Sequence, residues 1–171
     1  EEEIKPMEIV SQPEWVETME DNIKHYGKPK QYYLKNVVYK DTDGKIIIAV
    51  IRGDLTVNKA KLAKVYGAKG ELESASDEDL AAIGTRPGWV HCWGHSAIYV
   101  GDLSLKSVRN FIGGQKEKNT DSINVNYARD FKCDIEGDIA EVEDGFICPQ
   151  CKKWQLRLTK AVEFGNIFNI G

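Results

Sequence analysis

Between Lys45 and Arg52 the chain runs Ile46-Ile47-Ile48-Ala49-Val50-Ile51 without a polar side chain. A strand sends successive side chains to opposite faces, so a strand apolar at every position must be covered on both and belongs in the middle of a sheet. The run before it, Tyr32 to Tyr39, is rich in β-branched and aromatic residues, and Asp41-Thr42-Asp43-Gly44 between the two reads as a hairpin turn. A buried central strand with an antiparallel neighbour is therefore the frame on which the rest must pack.

Helical signals surround this frame. Ser11 with Glu14 three residues on, and Pro13 near the first turn, marks a helix start. Trp15, Val16, Met19, Ile23 and Tyr26 follow at helical spacing, until Gly27 and Pro29 end the run. Asn58 caps a short helix that Gly67 stops, and Ser76 with Asp79 repeats the capping pattern for a helix reaching Gly84. After a loop at 85–96, a strand over 97–101 leads to an expected helix over 105–112, closed by Gly113-Gly114. Alternation of Ile123, Val125 and Tyr127 predicts a strand over 122–127, and partial alternation predicts another over 155–164. The acidic stretch between them, from Asp134 to Asp144, reads as a solvated connection. This order of elements implies an α/β or α+β-like fold, a central mixed β-sheet flanked by helices, in one domain over 1–171 with an opening helical segment at 1–29 and a sheet core at 30–171.

At 171 residues and 42% hydrophobic content the chain can bury a core without disulfides or a structural metal, and collagen-like, disordered and coiled-coil classes are excluded. The longest apolar run is too short to span a bilayer, no basic-then-apolar leader opens the residues, and four cysteines are few for a secreted scaffold. The expectation is a cytoplasmic chain with no membrane partner. With 23 Lys and Arg against 27 Asp and Glu the net charge is −4, so any contact with a polyanion must be local. Residues 52–69 supply a local excess, with Arg52, Lys59, Lys61, Lys64 and Lys69 against Asp54 alone; a solvated helix face is the plainer reading of it. Lys106, Arg109, Lys116 and Lys118 form a second, looser group.

The loop Gly88-Trp89-Val90-His91-Cys92-Trp93-Gly94-His95 is hydrophobic enough that it must enter the core or line a pocket. A cysteine between two histidines invites a nucleophile or a metal, but Pro87-Gly88 and Gly94 argue against the helix that would bring His91 and His95 to one face, so packing and pocket lining are favoured. Cys148-Pro149-Gln150-Cys151 has zinc-knuckle or redox spacing. With no second such pair, and Cys133 a third ligand at best, a turn carrying two free thiols is the plainer reading. Asp102 with Ser104, and Arg129 with Asp130, are candidate polar pairs. P-loop, Rossmann and Gly-x-Ser-x-Gly patterns are absent.

Five blocks occur in order: Val50-Ile51-Arg52-Gly53-Asp54; Asn58-Lys59-Ala60-Lys61-Leu62; Asp102-Leu103-Ser104 with Val108-Arg109-Asn110-Phe111; Asn124-Val125-Asn126-Tyr127-Ala128-Arg129-Asp130-Phe131; and Val162-Glu163-Phe164-Gly165-Asn166-Ile167-Phe168. In this set the chain resembles the editing domain inserted in bacterial-type prolyl-tRNA synthetases, over roughly residue 30 to the end, with the opening helix also fitting. The resemblance implies hydrolytic editing of mischarged proline tRNA, that is, deacylation of alanyl-tRNA, with no cofactor and no metal. It implies as partners the tRNA acceptor end and the remainder of a synthetase in cis.

The physical need for such a domain is plain: a site built for proline cannot strongly reject smaller alanine, because a missing methylene or two is worth only about 1–3 kcal/mol. By resemblance Lys61 contacts the phosphate of the terminal nucleotide, and the region from Gly88 to His95 corresponds to a Gly-x-x-x-Pro loop whose backbone N–H groups face the scissile carbonyl. Gly88 is thus a catalytic candidate beside Lys61; Trp89, Val90, His91, Gly94 and His95 are substrate-binding candidates. Two further substrate-binding candidates are polar swaps: Asn166 where relatives carry histidine, and Asn36, in Lys35-Asn36-Val37, where relatives carry threonine. The loop lacks the family's proline, which with Asn166 motivates the alternative of a catalytically weakened module that only binds the acceptor end.

Overall fold

A computed structural model describes residues 2–147 and 153–160. It divides into two units, 1–141 and 142–171. The first contains a mixed five-stranded sheet and an antiparallel three-stranded sheet. In chain order its elements are β1 (Glu8–Ser11), α1 (Met19–Tyr26), β2 (Leu34–Lys40), β3 (Ile46–Arg52), α2 (Lys59–Tyr66), β4 (Glu73–Ser74), α3 (Asp77–Ala82), β5 (Ile98–Asp102), β6 (Phe111–Gly114), β7 (Thr120–Val125) and β8 (Ile135–Gly137). Short 3₁₀ turns lie at Lys30–Tyr32 and Leu103–Ser107.

The all-apolar run is β3, and it is central: the large sheet has the order β4-β2-β3-β5-β8, with β2 antiparallel to β3, and β5 parallel to both β3 and β8. Ile47, Ile48, Ala49, Val50 and Ile51 are all fully buried. Ile48 and Val50 join Leu34, Tyr99, Leu105, Phe111, Val125 and Phe131 in the main core cluster, so strands of both sheets contribute to one hydrophobic interior. The hairpin turn forms as expected, with Asp41 Oδ1 accepting from the N–H groups of Asp43 and Lys45.

Capping places the helices. Asn58 accepts from the Lys61 N–H at 2.9 Å, and Gly67 closes α2 in the left-handed region; Ser76 and Asp79 form a reciprocal capping box on α3. Asn58→Ala is expected to cost about 1 kcal/mol, read as a lower urea midpoint. The first helix begins later than its sequence signal: Thr18 and Asp21 make the capping box, while Ser11 ends β1, which pairs with β7. The chain prefers the box that lies next to the apolar positions of the helix, and the extended residues before it find hydrogen bonds on an open sheet edge.

The acidic stretch read as a solvated connection contains strand β8, which pairs with β5, and two further expected elements differ. The helix over 105–112 is a 3₁₀ turn followed by strand β6. Asn110, at φ 59°, breaks helical continuity: its backbone N–H donates to Asn126 Oδ1 at 3.0 Å and its side-chain Oδ1 accepts from Asn126 Nδ2 at 3.1 Å. Gly113 and Gly114 then pair with β7 across a register shift, so they are strand residues rather than a helix stop. In the second unit, Ile147 bridges Gln155 and the Leu156 N–H donates to the Phe146 carbonyl, but the described residues 155–160 form no strand. Cys148, Cys151, Asn166 and 161–164 lie outside the described residues.

Candidate active site

A cleft of about 700 Å³ opens in the first unit. It lies where the start of β2 and strand β6 part company: Tyr33 bridges Ile112 in parallel, after which Leu34, Lys35 and Asn36 line one wall and Ile112, Gly113 and Gly114 another. The loop residues Arg86, Pro87, Gly88, Trp89 and Val90 form a third, and the segment from Gln12 to Asn22 closes the far side. Its volume falls within the range of clefts that bury a small organic ligand.

Four of the residues singled out in the sequence meet here: Asn36, Gly88, Trp89 and Val90 all line the cleft. Asn36 Nδ2 donates to the Val90 carbonyl at 2.9 Å, which ties the loop to β2, and its Oδ1 is buried without a partner among the described residues. Gly88 sits at φ +81°, which only a residue without a Cβ takes readily. The Trp89 N–H closes a turn onto Arg86, whose guanidinium lies 3.6 Å from the centre of the Trp89 ring. No described acceptor takes the N–H groups of Gly88 or Val90, so both are available as donors in the loop.

His91, Gly94 and His95 do not line the cleft. They lock the loop from behind: the His91 N–H donates to His95 Nε2 at 3.0 Å, the His95 N–H donates to the Tyr99 hydroxyl at 3.1 Å, and that hydroxyl donates to the His91 carbonyl at 3.2 Å. A hydrophobic loop must hide its polar groups as it enters the core, and here these three bonds satisfy several of them internally, while His91 Nε2 stays buried without a described partner. Burial is the first cause that pushes His91 down to about 4 and lowers His95; it also drives the Cys92 thiol upward, away from the thiolate a nucleophile needs. The Lys116 ammonium reaches the Gly94 carbonyl at 2.6 Å, clamping this loop to the turn between β6 and β7. Among the described residues no three His, Cys, Asp or Glu side chains converge to hold an ion.

Lys61 is not at the cleft either. Its ammonium donates to Asp138 Oδ2 and to the Ala140 carbonyl, each at 2.9 Å. Most of the basic group at 52–69 is likewise paired with acids, as Lys59 meets Glu71, Arg52 meets Asp54 and Lys69 meets Asp43, which leaves Lys64 without an ion pair among the described residues. Two lysines line the cleft, Lys118, which is exposed, and Lys35, which is half-buried and donates its ammonium to the carbonyl of a residue outside the lining, Leu55. The signal of Lys35 was Lys35-Asn36-Val37 itself, a charged residue opening a strand that must be largely covered. Asp102 with Ser104 and Arg129 with Asp130 do meet, as a turn cap and a two-pronged ion pair remote from the cleft lining.

The profile of the aminoacyl-tRNA editing domain matches residues 13–131. The proline--tRNA ligase of Thermotoga neapolitana is 37% identical over 171 residues, which is all of this chain and 29% of that protein. That of Brachyspira hyodysenteriae is 34% identical over 98% of this chain and 29% of its own length. The chain thus spans less than a third of these relatives. Among solved structures, the hypothetical protein APE2540 superposes with a TM-score of 0.68 at 17% identity, covering 80% of this chain and 92% of that one. A candidate trans-editing enzyme for prolyl tRNA synthetase gives 0.64 at 15% identity, covering 79% and 87%. These two likenesses concern the fold alone. No helix among the described residues is long and apolar enough to cross a membrane.

Proposed function

The chain belongs to the aminoacyl-tRNA editing domain family, and from that premise we propose that it hydrolyses the ester of alanine wrongly attached to proline tRNA, acting in cis within a prolyl-tRNA synthetase. The observation that carries this reading is the juxtaposition, in one cleft, of a loop with open backbone N–H groups at Gly88 and Val90 and an aromatic face at Trp89 with the Arg86 guanidinium against it. An aminoacyl ester is already activated, so the protein has only to orient it, admit water and stabilise the charge that develops on the carbonyl oxygen.

In the proposed arrangement the terminal adenine stacks on the Trp89–Arg86 pair, as single-stranded bases do on aromatic side chains. Lys118, an exposed lysine of the lining, attracts the phosphate of the terminal nucleotide. Water adds to the ester carbon, and the resulting oxyanion accepts hydrogen bonds from the loop N–H groups. Collapse breaks the bond between carbonyl carbon and ribose oxygen, which takes up the proton lost by water; free alanine and intact tRNA leave.

Radiolabelled alanyl-tRNA and prolyl-tRNA, both on proline tRNA, test the proposal. Loss of the alanyl label well above the protein-free rate, with the prolyl ester spared, is the expected result. Tight tRNA binding with no turnover of alanyl, cysteinyl or seryl esters would replace it with the binding-module reading. Trp89→Ala is expected to weaken binding of a non-hydrolysable alanyl-adenosine amide about tenfold, measured as Kd by calorimetry.

A further inference from the structure

The cleft holds one element that the proposed chemistry does not use. Asp121, on β7, lines it and is only 4% exposed. The other carboxylates of the lining, Glu14, Glu17 and Glu117, are exposed rim residues. One Asp121 oxygen is committed: Oδ2 accepts from the Tyr26 hydroxyl at 2.6 Å and from Gln12 Nε2 at 2.7 Å. Gln12 Nε2 also donates to Asn22 Oδ1 at 2.9 Å, so α1 and the residue that follows β1 together fix the carboxylate on β7. The other oxygen, Oδ1, has no hydrogen-bond partner among the described residues, is not sealed from solvent, and no described Lys or Arg pairs with the group. Burial raises its pKa despite the Tyr26 hydrogen bond, the mark of a charge short of compensation.

A buried carboxylate with one oxygen pinned and the other facing a cavity is a receptor for a small cation that donates hydrogen bonds. Resting on the reading above, we infer that Asp121 binds the α-ammonium of the aminoacyl ester, so that the cleft selects esters of free amino acids. Tyr26 and Gln12 hold the carboxylate in place and do not touch the substrate. The ester of an α-hydroxy acid, identical in shape but without the charge, is the substrate this arrangement rejects.

Alanyl-tRNA and lactyl-tRNA, the latter made by deaminating the former, give the test, each rate divided by the ester's protein-free hydrolysis rate. The wild-type chain is expected to favour the alanyl ester at least tenfold, the scale of a hydrogen bond to a charged partner. Asp121→Asn, whose side-chain oxygen still accepts from Tyr26, is expected to reduce that preference at least tenfold, while Tyr26→Phe keeps most of it. A wild-type preference near one, or an Asp121→Asn chain that keeps the wild-type ratio while both rates drop together, overturns the inference and leaves Asp121 a structural pin. If the wild-type chain cleaves neither ester, the hydrolytic reading falls alone. The inference is then decided by Kd values for the alanyl and lactyl amides of 3′-amino-3′-deoxyadenosine, with tighter alanyl binding that Asp121→Asn abolishes supporting it and equal binding refuting it. The wild-type ratios require no variant to fold.

Discussion

Lys118→Met is expected to lower kcat/KM for alanyl-tRNA deacylation by about tenfold, roughly 1.4 kcal/mol of transition-state stabilisation, while Lys61→Met leaves it within about threefold. The contrast follows from where the two ammonium groups lie. Lys118 is an exposed residue of the cleft lining and no acid among the described residues pairs with it, so its charge is open to a phosphate at the cleft. Lys61 is already neutralised by Asp138 and the Ala140 carbonyl, and its partner acid is largely exposed. Exposed pairs of that kind contribute at most about 1 kcal/mol to stability. Single-turnover assays on both variants, with thermal melts to confirm folding, separate the two lysines. Equal losses in both, or a loss confined to Lys61→Met, would move the phosphate contact to α2 and restore the assignment that the family resemblance implies.

Acidification is expected to destabilise the fold well before most carboxylates titrate. His91 is 2% exposed, its Nε2 is buried without a described partner, and burial pushes its pKa down to about 4 from 6.5; nearby Lys116 and His95 lower it further, and the Gly114 carbonyl opposes them. A histidine lowered in the fold is neutral there and protonated in the unfolded chain, so between about pH 6.5 and 4 the unfolded state binds more protons. Stability is then fully present above pH 6.5 and is lost as pH falls toward 4, by about 2 kcal/mol at pH 5 from this residue alone. His95 acts in the same direction. Burial raises the Asp121 pKa, and that group acts in the opposite sense. Urea midpoints at pH 7.5 and 5.0 should fall clearly for the wild-type chain, and His91→Phe should remove at least half of that drop. A drop unchanged in the variant would show that the loop behind the cleft does not carry the pH dependence.

The sheet could be read from the sequence because its strongest determinant is local: six apolar residues in a row admit one placement, and the turn that follows β2 carries its own hydrogen-bonding aspartate. The caps at Asn58 and Ser76 were legible for the same reason. What escaped was set by partners distant in the chain. β1 is extended because β7, more than a hundred residues later, offers it a ladder. The segment after Ser107 becomes a strand because Asn110 finds Asn126. The site divided along the same line. Asn36 and the loop from Gly88 to Val90 line one cleft, whereas the destination of Lys61 depends on Asp138, seventy-seven residues away. Asp121 left a faint trace: it shares the parity of Ile123 and Val125, an acid in line with apolar positions.

The central claim is that the acceptor end enters the cleft between β2, the loop at 86–90 and β6. Amide chemical-shift perturbation by 3′-alanylamino-3′-deoxyadenosine tests it directly, since the amide cannot be hydrolysed on the timescale of the measurement. Shifts concentrated at Lys35, Asn36, Gly88, Trp89 and Ile112 to Gly114 are the expected result. Shifts clustered at Lys61, Asp138 and Ala140, with the cleft residues unmoved, would contradict it.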